Sequence, residues 1–211
     1  SAASDVYKRQ PFENVYTLAL RGLHDRAMNA SNNMSDRKQM LQDALMAQRK
    51  MLIDATGKRG EDIPQAFTPY KEVLDVYDEG LELPDDVTII WPDDNYGYMK
   101  RLSSPKEQKR SGRSGVYYHS SYLGKPHDHL WMNTTSPTLM YEELRKAYDM
   151  TADRIWLLNA GDIKACEFAV DFFLSMAYDI DSFNFDRAAA YRTEWLCGMP
   201  VSYTHLRAHE T

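Results

Sequence analysis

Asp93, Asp94 and Asn95 stand directly after the short apolar run Val87-Thr-Ile-Ile-Trp91. The arrangement recurs: Arg21 and Asp25 follow the run Val15–Leu20, and Lys71 and Glu72 follow Gln65–Tyr70. His119 and Tyr122 close the run from Gly115, and Asn159, Asp162 and Lys164 follow Arg154–Leu158. If these ends share one face, carboxylates, cations, amides and a histidine converge there among aromatic rings. Hydrolysis of a glycosidic bond uses such a set. One carboxyl protonates the leaving oxygen and a second activates water or attacks, while rings stack on sugar faces and amides hold hydroxyls. Arg21, with Lys58 or Lys71, suits an acidic sugar, because charge-assisted bonds to a carboxylate are the strong ones. Asp93 and Asp94 are neighbours on one strand end, so they cannot flank a bond from opposite sides.

Other chemistries fit parts of the same set. His119, His127, Asp128 and His129 offer nitrogen and oxygen ligands for zinc, and His127-Asp-His129 has the spacing of some metal barrels. That pair lies in a Gly-Lys-Pro loop, and no second histidine-rich strand end accompanies it. A polysaccharide-binding barrel without catalysis needs the same aromatics and amides. Asp and Asn also form turns and cap helices with no chemical task at all.

The elements that must position these groups follow from periodicity. Val87–Trp91 is β-branched and aromatic throughout, the pattern of a parallel strand covered on both faces. Strands are expected over 15–20, 65–70, 115–119 and 154–158, although Pro69 lacks the N–H that a central strand needs. Between them, Met40, Leu41, Ala44, Leu45, Leu52 and Ala55 share a helical face that opens at Ser35-Asp36 and stops at Gly57. A short helix spans Val73 to Gly80. Another begins at Ser136-Pro137, with Met140, Leu144 and Ala147 on one side. Glu167 to Asp179 and Phe185 to Cys197 form the last two. Strand and helix alternation with crossovers of roughly 20 to 30 residues implies right-handed βαβ units and a parallel sheet. Polar groups at every strand exit favour a barrel over an open sheet, whose crevice sits at one switch point. The expected class is therefore α/β, an incomplete (β/α) TIM-type barrel of about five βα units.

Composition narrows the field. A net charge of −6 without a basic stripe argues against binding nucleic acid. A hydrophobic fraction of 43% fits a packed core rather than a disordered chain. No apolar run approaches the roughly 20 residues of a membrane span. Cys166 and Cys197 are too few for a disulfide framework. Residues 1–10 and 201–211 read as translated sequencing-library adapters rather than native segments. They are set aside, leaving 11–200 as one domain cut at both ends.

The blocks Thr17-Leu-Ala-Leu-Arg-Gly-Leu-His-Asp25, Tyr70-Lys-Glu-Val73, Trp91-Pro-Asp-Asp-Asn-Tyr-Gly-Tyr98, Gly115-Val-Tyr-Tyr-His-Ser-Ser-Tyr122 and Leu158-Asn-Ala-Gly-Asp-Ile-Lys164 occur in an order that resembles glycoside hydrolase family 115. The resemblance runs over almost all of Pro11 to Met199. It implies a secreted or periplasmic, multidomain, dimeric xylan α-1,2-glucuronidase with a (β/α) catalytic barrel. Such an enzyme releases glucuronic acid or its 4-O-methyl ether from glucuronoxylan by inversion, without a metal or other cofactor. Residue by residue, the resemblance implies Glu72 as general acid and Asp25 as candidate base; Asp93 and Asp94 belong with Asn95 to the substrate-binding wall, where either is an alternative base that the family pattern leaves open. It also implies Arg21 and Lys58 as cations for the uronate, and Asn95, Tyr117, His119 and Asn159 as substrate-binding positions. The earlier barrel strands and flanking domains of the family are expected outside this sequence.

Two physical expectations follow. An inverting pair needs about 6.5–9.5 Å between carboxyls to admit a water, which sets the spacing of Glu72 and Asp25. Lys71 should point to the face opposite Glu72, as alternation along a strand dictates.

Overall fold

A computed structural model describes residues 13–22, 27–28, 33–120, 122–123, 128–129 and 132–198. The chain divides into two compact units, the first ending at Thr88 and the second beginning at Ile89. Both are α/β with parallel strands.

In the first unit, β1 (Tyr16–Leu18) and β2 (Gln65–Phe67) pair in parallel, Tyr16 opposite Gln65 and Leu18 opposite Phe67. The crossover is α1 (Met34–Thr56). Its cap is Asn33, which accepts from the Ser35 N–H, so Ser35 and Asp36 fall in the first turn rather than at the cap. Gly57 ends α1 as expected, at φ 68°, with its N–H on the Ile53 carbonyl. Leu41 and Leu45 bury the inner face of α1 in a core with Leu18, Phe67 and Val76. Gln48 on α1 reads the chain just past β1 as a strand neighbour would: its oxygen accepts from the Ala19 N–H at 3.0 Å and its amide donates to the Ala19 carbonyl at 2.7 Å. The ladder of three residues is thus prolonged by a side chain. Arg49 makes a two-pronged pair with Asp86, at 2.8 and 2.9 Å, fixing the segment that leads to the next strand. Helix α2 (Glu72–Asp78) follows β2 directly.

In the second unit, β3 (Thr88–Pro92), β4 (Ser114–His119) and a later strand at Trp156–Asn159 form a parallel ladder. Ile89 lies opposite Ser114, Pro92 opposite Tyr117, and His119 opposite Asn159. The β3–β4 crossover carries only a 3-10 turn at Glu107–Lys109. Residues Tyr122–Leu123 (β5) and Asp128–His129 (β6) pair antiparallel, so Asp128 and His129 are strand rather than loop. Then come α3 (Pro137–Asp149), β7 (Trp156–Asn159), α4 (Ile163–Tyr178) and α5 (Phe185–Gly198). Helix α4 starts one turn earlier than the sequence suggests. Ser136 stands at the cap of α3, but its hydroxyl pairs with the Thr138 hydroxyl instead of a backbone N–H.

Every residue of β3 is buried, as its β-branched run predicts. Trp91 is wholly inside, its indole N–H donating to Ser103 at 2.9 Å while the Arg101 guanidinium stacks 4.3 Å above the ring. Gly115 on β4 marks a close approach. A Cβ there would collide with the Ile155 carbonyl on the neighbouring chain segment, and backbone cannot yield as a side-chain tip can. Gly115→Ala should therefore cost about 1–3 kcal/mol, the range for overpacking, read as a lowered denaturation midpoint.

Candidate functional site

Parallel pairing makes β1 and β2 leave their ladder at the same edge. That brings Arg21 to Glu72, although 51 positions separate them. Arg21 Nε and Nη2 approach the two carboxylate oxygens at 3.4 and 3.5 Å, and the Met28 N–H reaches Oε1 at 3.4 Å. These are long contacts for a charged pair, whose strong form is about 2.7–2.9 Å. Each side chain is about one-fifth exposed, so solvent reaches both. Tyr70 lies beside them, with the Arg21 guanidinium 5.5 Å and the Lys71 ammonium 5.1 Å from its ring centre.

Three expectations change here. Glu72 is the first residue of α2, not the end of a strand. Lys71 caps that helix at φ 53°, so strand alternation does not set its direction. Instead the left-handed turn at Lys71 swings the chain from β2 into α2. Lys58 is exposed between α1 and β2, beside a shallow cavity bordered by Tyr16 and Pro64. That is the amino end of the ladder, whereas Arg21 and Glu72 stand at its carboxyl end, so the fold does not bring Lys58 to them. Asp25 lies outside the described residues, as does His127.

In the second unit, the turn from Asp93 to Met99 is held by carboxylates. Asp93 bridges back to Met99, and the Asp94 N–H donates to the Tyr98 carbonyl at 2.8 Å. The Asp94 side chain accepts from the N–H groups of Tyr96 and Tyr98 at 2.8 and 3.1 Å. Glu143 reaches in from α3, taking the Met99 N–H at 2.7 Å on one oxygen and the Lys146 ammonium at 2.6 Å on the other. From β4 the Tyr118 hydroxyl donates to the Gly97 carbonyl at 2.8 Å. Burial, and then the charges of Asp93 and Glu143, push the Tyr118 phenol up, which keeps it a donor. Asn95 adopts φ 66° and Gly97 φ 92°. A side chain at 97 would also come within 2.9 Å of the Tyr118 hydroxyl, so glycine is required there twice over. The turn presents Tyr96 and Tyr98 outward, 52% and 51% exposed.

The register of the ladder sets Asp93 beside His119. Asp93 Oδ1 lies 2.6 Å from His119 Nδ1 and accepts the Asn95 N–H at 3.2 Å, while Oδ2 accepts the His119 N–H at 3.0 Å. Both side chains are fully buried. Asp93 is therefore not presented to a water as a base would be, and Asp94 Oδ1 is engaged in the turn. The His119 ring packs against Tyr117 at 4.3 Å between centres, and the Asn159 amide donates to the Tyr117 hydroxyl at 3.1 Å. Tyr117 and Asn159 are half-buried. So Asp93, His119, Tyr117 and Asn159 form one connected group, as their common strand exits imply. Asp162 and Lys164 stand apart, exposed at the start of α4, with Lys164 paired to Glu167 at 3.0 Å. Tyr118 and Glu143 are absent from the sequence-derived set. Glu143 leaves a trace in the sequence, since it falls three positions after Met140 and next to Leu144 on the apolar face of α3.

Among the described residues, no group of three or more His, Cys, Asp or Glu side chains could hold a metal ion, and His119 spends Nδ1 on Asp93. None of the described helices is long and apolar enough to cross a membrane.

The first unit thus carries a carboxylate beside a cation past its ladder, and the second carries an amide, a phenol and a buried histidine at its strand ends. The model of glycosyl hydrolase family 115 matches residues 3–200, and the chain belongs to that family. Among solved structures, it is similar to a family 115 4-O-methyl-alpha-glucuronidase with specificity for decorated arabinogalactans. Identity is 43% and the TM-score 0.82, over 87% of this chain and 24% of that one. No curated protein matches the chain.

Proposed function

We propose that residues 11–200 are part of the catalytic (β/α) barrel of an α-glucuronidase that cleaves α-1,2-linked glucuronic acid, or its 4-O-methyl ether, from glucuronoxylan with inversion. The observation that carries this reading is the loose pair of Arg21 and Glu72. Arg21 supplies a planar fork matched to a uronate. The substrate carboxylate takes Arg21, and Glu72 gives a proton to the leaving oxygen. Asp25 draws a proton from the attacking water, which adds to the anomeric carbon as the glycosidic bond breaks. Asn95, Tyr117 and Asn159 bind sugar hydroxyls, and Tyr96 and Tyr98 offer rings to pyranose faces. The enzyme acts outside the cell or in the periplasm, as a homodimer, and needs no metal. Neither nucleic acid nor membrane is a partner.

The solved neighbour's specificity supports decorated arabinogalactan as a second substrate. The test is uronic acid release from each polysaccharide by the protein expressed in its natural reading frame. Release from neither would overturn the reading. Arg21→Ala should lower kcat/KM roughly 10- to 100-fold, the worth of a hydrogen bond to a charged group. An unchanged value would remove Arg21 from the uronate.

A further inference from the structure

We propose that Asp93 is a positioning residue that fixes the tautomer of His119 and, through that ring, the placement of Tyr117. This rests on the reading of Tyr117 and Asn159 as sugar-binding groups.

Two backbone N–H groups, of Asn95 and His119, point at the Asp93 carboxylate, and the His119 ring nitrogen Nδ1 lies 2.6 Å from it. A carboxylate only accepts, so a ring proton belongs on Nδ1. The pair is buried, where a misdirected polar group is expensive, so the ring has one orientation. Tyr117 lies against that ring, and its hydroxyl accepts the Asn159 amide. Asp93 itself has both oxygens engaged and almost no exposure, so a sugar does not touch it. Its influence on substrate runs through His119 to the half-buried Tyr117 and Asn159.

Asp93→Asn changes this with little change of shape. The amide keeps one oxygen. If that oxygen stays on the His119 backbone N–H, the new NH₂ faces the ring and requires an acceptor there. The proton then moves to Nε2, the outcome known for a buried Asp→Asn beside a catalytic histidine. Ring nitrogen shifts from long-range proton–nitrogen spectra of the unaltered chain report the tautomer directly. Nδ1 is expected to be protonated, and an unprotonated Nδ1 overturns the proposal even if the variant does not fold. In a folded Asp93→Asn protein, the proton should sit on Nε2. KM for the polysaccharide should rise roughly 10- to 100-fold while kcat stays within about threefold, because Tyr117 and Asn159 hold substrate rather than move protons. An unmoved tautomer, an unchanged KM, or a loss confined to kcat overturns it. If the unaltered protein releases no uronic acid from either polysaccharide, the glucuronidase reading fails. The ring spectra then decide the placement of the proton on their own.

Discussion

Glu72→Gln should lose about 10²–10⁴-fold in kcat on polysaccharide, the usual worth of a general acid. On an aryl glucuronide whose leaving group departs without protonation, the same change should cost less than about tenfold. Glutamine keeps the size of glutamate and can still accept the Met28 N–H, but it has no proton to give. The pair with Arg21 is about one-fifth exposed on each side and long, so its loss should cost no more than about 1 kcal/mol of stability. Unfolding cannot then masquerade as lost catalysis. Parallel kinetics on the two substrates, with a melt of each protein, check this. Equal losses on both would take Glu72 out of the acid role and return the search to Asp25 and its neighbours.

The largest structural effect belongs to Phe172→Ala. Phe172 is fully buried on α4, edge-on to Tyr191 at 5.0 Å and to Phe183 at 5.5 Å. Phe168 sits one turn away at 6.3 Å. Truncation leaves a ring-sized hole among rigid neighbours that cannot collapse into it, which costs about 3–5 kcal/mol. The edge-to-face contacts explain why the upper half of that range applies, since such pairs add about 0.5–1.5 kcal/mol beyond burial. Tyr178 ends the same helix 93% exposed, and Tyr178→Ala should change stability by less than about 0.5 kcal/mol. Denaturant midpoints of the two variants test the contrast. Similar shifts would mean that the aromatic cluster is not the core of that unit.

How far the sequence reveals this protein depends on the range of the interaction involved. β3 and β4 were legible because buried parallel strands are written as unbroken β-branched and aromatic runs. β1 and β2 came out longer than they are: each ladder is three residues, and Gln48 supplies the next rung from a helix. The sequence places Glu72 one element early because the turn before it uses a lysine at positive φ, where no glycine flags the bend. Lys58 joins Arg21 in the sequence as a cation suited to an acidic sugar, but nothing local says which end of the ladder its loop belongs to. The partnership of Asp93 and His119 spans 26 positions and exists only through the register that sets Pro92 opposite Tyr117. Residue types pointed to both, yet not to each other. In the structure Asp93 is a buried acceptor of the Asn95 and His119 backbone N–H groups, with the His119 ring nitrogen 2.6 Å away.

The turn from Asp93 to Met99 separates two tasks that surface loops usually mix. Its shape is fixed by Asp93, Asp94, Tyr118, Glu143 and Gly97. Those hydrogen bonds involve the backbone of positions 96 and 98, while the rings there face outward. Replacing the rings at 96 and 98 therefore leaves the hydrogen bonds that shape the loop in place. Changes at 93, 94, 97 or 143 remove those bonds or the space the turn needs. The loop is thus a fixed frame carrying two side chains that can be exchanged without moving it.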